Sequence, residues 1–297
     1  MGKYAYVFLL YGNSEYFLGT LVAGYTLKKT KTVHDSVLMV TSDVPQKQKD
    51  ILKEYFTKIV EVTYINSHPS NFVKDDTRFT QVFTKLHLYN LTEYDKVLML
   101  DVDIFITQNI DHLFKLPTPS AHYRNKKLEH GKKIPSNLIY MDKGRINGGV
   151  NAGTMLLKPD RDEFKLMVDE ISKPLKYKLL GPEQDYLSYR YKDNITHLDF
   201  AYCCKFDMEK EMRWYDYSMH DIYILQYSWI FKPWDLVLDN KHKVLQALKK
   251  CNKDITYYTL WVHHYRLLDR IYKTKRVYLH EYYDRKNIFA GAIEAKM

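Results

Sequence analysis

Short apolar runs alternate with amphipathic stretches over the first 62 residues, and this alternation constrains the fold more than any other feature. Residues 4–10 are a strand-length apolar run, closed by the turn residues Tyr11-Gly12-Asn13-Ser14. Ser14 is placed to cap a helix in which Leu18, Leu21, Val22 and Tyr25 recur at helical spacing. Residues 37–40 form a second buried strand, which residues 41–45 break. Residues 46–56 form a helix with Ile51, Leu52, Tyr55 and Phe56 on one face, and residues 59–62 a third strand. Strand–helix–strand–helix–strand in this order predicts a parallel sheet with crossover helices, the nucleotide-binding half of an α/β fold. Ligands of such sheets collect beyond the carboxyl ends of the strands.

A further apolar run, residues 97–100, ends on Asp101-Val102-Asp103. Carboxylates at the edge of a core cost several kcal/mol unless something cationic compensates them. On a strand, Asp101 and Asp103 point to one side and can share one cation. Oxygen ligands alone favour a hard ion, magnesium or manganese. Two acids one residue apart are, by themselves, more often a solvated strand end. Here they share a strand-end location with the turn at residues 11–14, which argues for a site.

The rest of the chain reads in the same terms. Residues 83–91 are helical, with Phe83, Leu86 and Leu91 in the core and Lys85 leaving that face. Residues 117–146 read as an irregular basic loop over one rim, and residues 147–153 as a flexible turn into an apolar segment. Pro159 opens a helix, and residues 181–185 are a turn before a tyrosine-rich helix. Residues 222–225 are strand-like. Two amphipathic helices follow Asp239, one carrying Val244, Leu248 and Cys251, the other Tyr258, Trp261, Val262, Tyr265 and Leu268.

With 297 residues, 45% of them hydrophobic, the chain can bury one large core with a helical arm. Charge decides which partners to consider. Seven Lys/Arg against two acids fall in residues 120–145, and thirteen against five in residues 241–297, so the body is mildly acidic under a net +9. Such patches suit anionic nucleotides, polyanionic surfaces or nucleic acid. Three cysteines without metal-ligand spacing argue against a disulfide framework and point to a reducing compartment. No run approaches a membrane span, and residues 4–11 read as a strand, not a signal peptide, so a cytoplasmic location is expected.

Several stretches then fall into a known order. Residues 83–114, FTKLHLYNLTEYDKVLMLDVDIFITQNIDHLF, are followed by NAG at Asn151 to Gly153, EQ at Glu183-Gln184, and KPW at Lys232 to Trp234. Any one of these is weak; together they are a strong signal. Over residues 4–236 the chain resembles the glycogenin-like branch of glycosyltransferase family 8. The resemblance implies a GT-A fold: a Rossmann-like, mixed but mainly parallel central sheet flanked by helices. It implies a catalytic domain over residues 1–240, with residues 241–297 a basic helical extension. It also implies metal-dependent transfer of a hexose from a UDP-sugar to a hydroxyl acceptor, with retention of configuration.

Site roles follow position by position from the same resemblance. Leu10, Gly12, Asn13 and Tyr16 match the turn that holds uracil and ribose. Arg78 matches an arginine that touches phosphate, and Lys85 a lysine near the donor. Asp101 and Asp103 match the metal carboxylates on either side of Val102. Asn151, with Ala152, matches a residue that reads donor-sugar hydroxyls. Glu183 and Gln184 fall where the family has Asp-Gln beside the anomeric carbon, and Lys232 where a lysine holds the diphosphate. Pro233 and Trp234 are packing. Two positions depart from the family: Gln226 replaces the histidine that is the third protein ligand, and Trp229 replaces a glycine. The expected cofactor is Mn2+ or Mg2+, held by Asp101, Asp103 and Gln226, with UDP-glucose or UDP-galactose as donor.

The acceptor is left as a saccharide or a protein hydroxyl. A tyrosine of the chain itself is included, since Tyr202, Tyr215 and Tyr217 lie where the family's own acceptor segment would fall. A homodimer is admitted and nucleic acid is not the expected partner. The alternative is a catalytically weakened GT-A-fold protein that binds anionic partners through its basic tail.

Overall fold

A computed structural model describes residues 2–73, 81–205, 212, 215–228, 231–238, 241–250 and 255–282. The strands are β1 (Tyr4–Leu10), β2 (Asp35–Val40), β3 (Lys58–Glu61), β4 (Lys96–Leu100), β5 (Ile104–Ile106), β6 (Ser120–Tyr123), β7 (Tyr140–Asp142), β8 (Arg145–Asn147), β9 (Val150–Leu157), β10 (Thr196–His197), β11 (Cys204–Lys205) and β12 (Ile224–Gln226). Seven of them form the central sheet in the order β10-β6-β9-β4-β1-β2-β3. The β4-β1-β2-β3 half is parallel, as the alternation of the first 62 residues predicts; β9 runs antiparallel to both β4 and β6. The second sheet, β11-β12-β5, is short.

Strand β1 is buried on both faces, which is why it reads as an unbroken apolar run. Its alternate residues feed two cores: Tyr6, Phe8 and Leu10 on one side, Ala5, Val7 and Leu9 on the other. Helix α1 (Tyr16–Lys29) packs on the first side. Its N-terminus differs from expectation. Glu15, not Ser14, is the cap residue and no side chain caps it; Ser14 supplies its carbonyl to Phe17 N–H at 3.1 Å. Helix α2 (Gln46–Leu52) is shorter than the periodicity suggests, yet Phe56 beyond its end still packs edge-on against Phe8.

Helices α3 (Arg161–Ile171) and α4 (Pro182–Arg190) follow β9, and α5 (Lys241–Lys250) and α6 (Thr256–Thr274) come last. Asp160 caps α3, accepting from Asp162 and Glu163 N–H, so Pro159 stands just ahead of the helix. The apolar faces of α5 and α6 are those expected, except that Cys251 lies outside the described residues. Val244, Tyr258 and Trp261 belong to the same core as Phe8 and Trp234.

Four local readings change. Residues Gln81–Asn90 form a 3-10 helix, whose three-residue repeat buries Phe83, Leu86 and Tyr89 together. The basic segment contains β6, fully buried in the central sheet, and the β7–β8 hairpin turning on Lys143 and Gly144, both with positive φ. Asn151-Ala152-Gly153 lies inside β9, buried, not in a flexible turn. Glu183, Gln184 and Asp185 form the first turn of α4, since Pro182 starts that helix.

The most consequential change concerns Asp101-Val102-Asp103. Strand β4 stops at Leu100, and the two acids occupy a bend, not a strand. Asp101 N–H donates to Gly153 O at 2.9 Å, the last bond to the central sheet; Asp103 O accepts from Tyr227 N–H at 2.8 Å, at the start of the second. The acids therefore converge because the chain turns there from one sheet into the other, not because strand side chains alternate.

Candidate active site

Two half-buried lysines organise the bend. Lys85, on the 3-10 helix, donates from Nζ to Asp101 Oδ1 and to Glu183 Oε1, both at 2.6 Å. Lys232 donates to Asp103 Oδ2 and to the carbonyl of Tyr227, also both at 2.6 Å. Burial alone would lower the pKa of each lysine. The acids outweigh it: Asp101 and Glu183 hold Lys85 above its ordinary value, and Asp103 does the same for Lys232. Both ammonium groups therefore stay charged in a water-poor site. The second oxygen of Asp101 accepts from Gln226 Nε2 at 2.9 Å, and Gln226 Oε1 accepts from Asn151 Nδ2 at 2.9 Å.

Gly153 makes this assembly sterically feasible. A Cβ there would lie 2.2 Å from Gln226 Nε2, 2.7 Å from Asp101 Oδ2 and 2.9 Å from Asn151 Oδ1. The sequence signal was in hand, the last letter of NAG, but Gly153 has no side-chain chemistry to single it out.

The turn after β1 forms the adjoining wall. Gly12, with φ of 70°, donates its N–H to Thr41 Oγ1 (3.2 Å) and Asp43 Oδ1 (3.3 Å). Asn13 Oδ1 accepts from Gln48 Nε2 at 2.9 Å. Tyr16 meets the Trp234 ring edge-on, centroids 5.1 Å apart. Burial pushes the Tyr11 hydroxyl up to about 12, opposed by Lys85 and reinforced by Tyr16, Glu183 and Asp101. Tyr16 is likewise raised by burial, with Lys232 opposing and Asp103 reinforcing. The turn and the acid bend are thus one site.

Sequence reading missed Thr41, Asp43, Gln48 and Tyr64. Asp43 follows the carboxyl end of β2 and accepts from Thr41 Oγ1 at 2.5 Å and Tyr64 OH at 2.9 Å. Burial works to raise its pKa, and the donors Thr41, Tyr64 and Gly12 N–H outweigh it and hold it low. The strand-end rule that singled out the Gly12 turn applies equally here. Arg124, also missed, donates to Gly149 O at 3.1 Å and lies 3.6 Å from Asp185 on the other rim.

Not every expected residue converges through its side chain. Leu10 and Val102 pack into the core under α1, and Ala152 into the opposite core. Gln184 is half-buried over Gly181 at the start of α4. Arg78 and Trp229 lie outside the described residues. Tyr202 and Tyr217 are packing residues with engaged hydroxyls, paired with His112 at 2.7 Å and Asp199 at 2.8 Å; Tyr215 stacks on Phe200 and Tyr217.

A hard divalent cation fits part of this donor set. Asp103 Oδ1 is buried and has no hydrogen-bond partner among the described residues, as a carboxylate oxygen reserved for a cation would be. Asp101 brings a second carboxylate to the same bend. Gln226 accepts from Asn151 Nδ2 through Oε1 and donates to Asp101 Oδ2 through Nε2. Among the described residues no group of three His, Cys, Asp or Glu stands ready for a metal.

The mixed sheet, with an acid bend between its two parts, is the GT-A glycosyltransferase fold, as its likeness to solved glycosyltransferase structures shows. Residues 7–237 match the family Glycosyl transferase family 8, and the chain belongs to that family. Protein R707 of Acanthamoeba polyphaga mimivirus is 39% identical over 266 residues, 89% of this chain and 94% of that protein. Inositol phosphorylceramide glucuronosyltransferase 1 of Arabidopsis thaliana is 30% identical over 191 residues, 64% of this chain but 30% of the plant enzyme. Among solved structures, the galactosyltransferase LgtC, with donor and acceptor sugar analogs, shares the fold at a TM-score of 0.52 and 14% identity, covering 82% of this chain and 94% of that one.

Proposed function

We propose that this chain is a retaining hexosyltransferase that moves a hexose from a UDP-sugar, glucose before galactose, to a hydroxyl acceptor with a divalent cation bound. The observation that carries the reading is the Lys85–Asp101–Glu183 bridge beside the Lys232–Asp103 pair, at the bend where the two sheets meet. Asp101 and Asp103 would hold Mn2+ or Mg2+, which supplies Lewis-acid charge to the diphosphate oxygens. Gly12 N–H and Asn13 belong to the wall that takes uracil and ribose.

Breaking the sugar–phosphate bond leaves negative charge on the diphosphate and positive character on the anomeric carbon. Lys232, already charged and positioned, takes up the first by exchanging part of its bonding to Asp103 for a phosphate oxygen. Glu183, on the first turn of α4, faces the second, with Lys85 fixing its carboxylate. The acceptor hydroxyl enters from the leaving-group side and passes its proton to a phosphate oxygen of the departing diphosphate. The acceptor is a saccharide or a protein hydroxyl; Tyr202, Tyr215 and Tyr217 are packed as structural residues, which favours an external acceptor.

A panel of UDP-sugars incubated with Mn2+ tests the reading, with UDP release and intact mass as readouts. Release from UDP-glucose, stimulated by an added saccharide, is the expected result. An unchanged intact mass excludes self-glucosylation, and no release from any donor overturns the proposal.

A further inference from the structure

We propose that Gln226 is a positioning residue for Asp101, not a metal ligand, and that Gly153 dictates its direction through Asn151. This rests on the reading of Asp101 as a donor-binding acid. The backbone N–H of Gly153 can only donate, and it meets the Asn151 side chain at 2.6 Å. The Asn151 atom there must be the oxygen, so its Nδ2 faces the other way. Nδ2 can only donate, so Gln226 receives it with Oε1 at 2.9 Å. The remaining end of Gln226 is therefore the donor Nε2, and it meets Asp101 Oδ2 at 2.9 Å.

Amide orientations are normally assigned from their surroundings, and here every link in the chain of donors agrees. Asn151 and Gln226 are buried, 2% and 5% exposed, so water cannot replace a broken link cheaply. The relay also passes close over Gly153, through the space that a Cβ there would occupy. Turning the Gln226 oxygen toward a cation would set its NH2 against that of Asn151. Turning both amides would leave the Gly153 N–H without its acceptor, and two like-polarity contacts replace two hydrogen bonds in either case. With the Lys85 ammonium on Oδ1 and the Gln226 amide on Oδ2, Asp101 is held at both oxygens. The amide in place of the family's histidine thus keeps the acid in place while giving up a ligand.

The direct test is the side-chain amide spectrum of protein labelled with 15N-glutamine. The chain has seven glutamines, and Gln226→Ala assigns the pair of interest. We expect one Gln226 amide proton to be shifted downfield and slow to exchange, to lose that shift in Asp101→Ala, and to keep it when UDP and Mg2+ are added. A Gln226 amide at the free-glutamine position, or one that loses its shift when UDP and Mg2+ bind, overturns the proposal. This readout needs no turnover. A chain that fails to bind UDP sinks the transferase reading and leaves the amide assignment standing.

Gln226→Glu gives a second reading, because it keeps an oxygen for a cation and removes the N–H. The expected split is Mn2+ held in the presence of UDP at least as tightly as in the parent chain, with turnover down at least about tenfold. Turnover within about twofold of the parent, with Mn2+ still held, would mark Gln226 as a ligand and overturn the assignment.

Discussion

Replacing Gly153 by alanine places a methyl group inside the contacts that join Asp101, Asn151 and Gln226. The neighbours are backbone-anchored side chains held by hydrogen bonds, so the strand or the acid must move. A shift near 1 Å at a reacting centre costs on the order of a hundredfold in rate. Gly153→Ala is therefore expected to lose about two orders of magnitude in UDP release, with the circular dichroism spectrum retained. Lys232→Ala removes the charge proposed to face the departing diphosphate and leaves the part-buried Asp103 without its lysine partner. Loss of one such preorganised group costs on the order of a hundredfold to a thousandfold in kcat. Steady-state kinetics with a saturating donor check this, and near-parental turnover would contradict the role given to Lys232.

At the level of elements, the parallel half of the sheet was legible because residues 4–10, 37–40 and 97–100 are continuous apolar runs buried on both faces. What was not legible was where strands stop. The polar Asn151 lies near the start of β9, satisfied by Gln226 and Gly153, so a turn-like NAG hides a buried strand. The acids escaped in the opposite sense: a period-two argument assigned them to a strand, whereas Leu100 ends it and a bend between sheets presents them. Side-chain pairing explains both misreadings, and no local propensity encodes it.

The antiparallel side carries a testable pH response. His122 on β6 and His197 on β10 are buried with ring centroids 5.1 Å apart, and burial lowers their pKa values to about 4 and about 3. Both values lie below those of the unfolded chain, so the unfolded state binds protons first as pH falls below about 6.5. Stability then declines from about pH 6.5 downward, by up to about 1.4 kcal/mol per histidine for each pH unit, levelling only below the folded values. Melting temperatures over this range should fall with acid. They should fall less steeply in a His122→Asn, His197→Gln double variant, and an equal slope would remove the histidines as the cause.

Across the whole molecule, the C-terminal helices are tied to the site through aromatic packing. Trp234 follows Pro233 after Lys232, meets Tyr16 edge-on, and lies 5.8 Å from Trp261 of α6; Trp261 stacks on Tyr265 at 5.5 Å. Beyond α6, the carbonyl of Tyr282 accepts from Gln48 Nε2, the same nitrogen that donates to Asn13 in the turn after β1. Ending the chain at residue 240 would expose Trp234 and remove this tie. The truncated chain is expected to melt well below the parent, since burial of one large aromatic is worth about 3–5 kcal/mol. Equal melting temperatures would make residues 241–297 a separable appendage. The central claim is that the bend between the two sheets holds a UDP diphosphate, and ligand-linked stability tests it most directly. UDP with Mn2+, at concentrations far above Kd, should raise the melting temperature of the parent chain, and Mn2+ alone should not; the rise should vanish in Asp103→Ala and Lys232→Ala. No rise with UDP and Mn2+, together with tight, salt-sensitive binding of an oligonucleotide, would contradict the account.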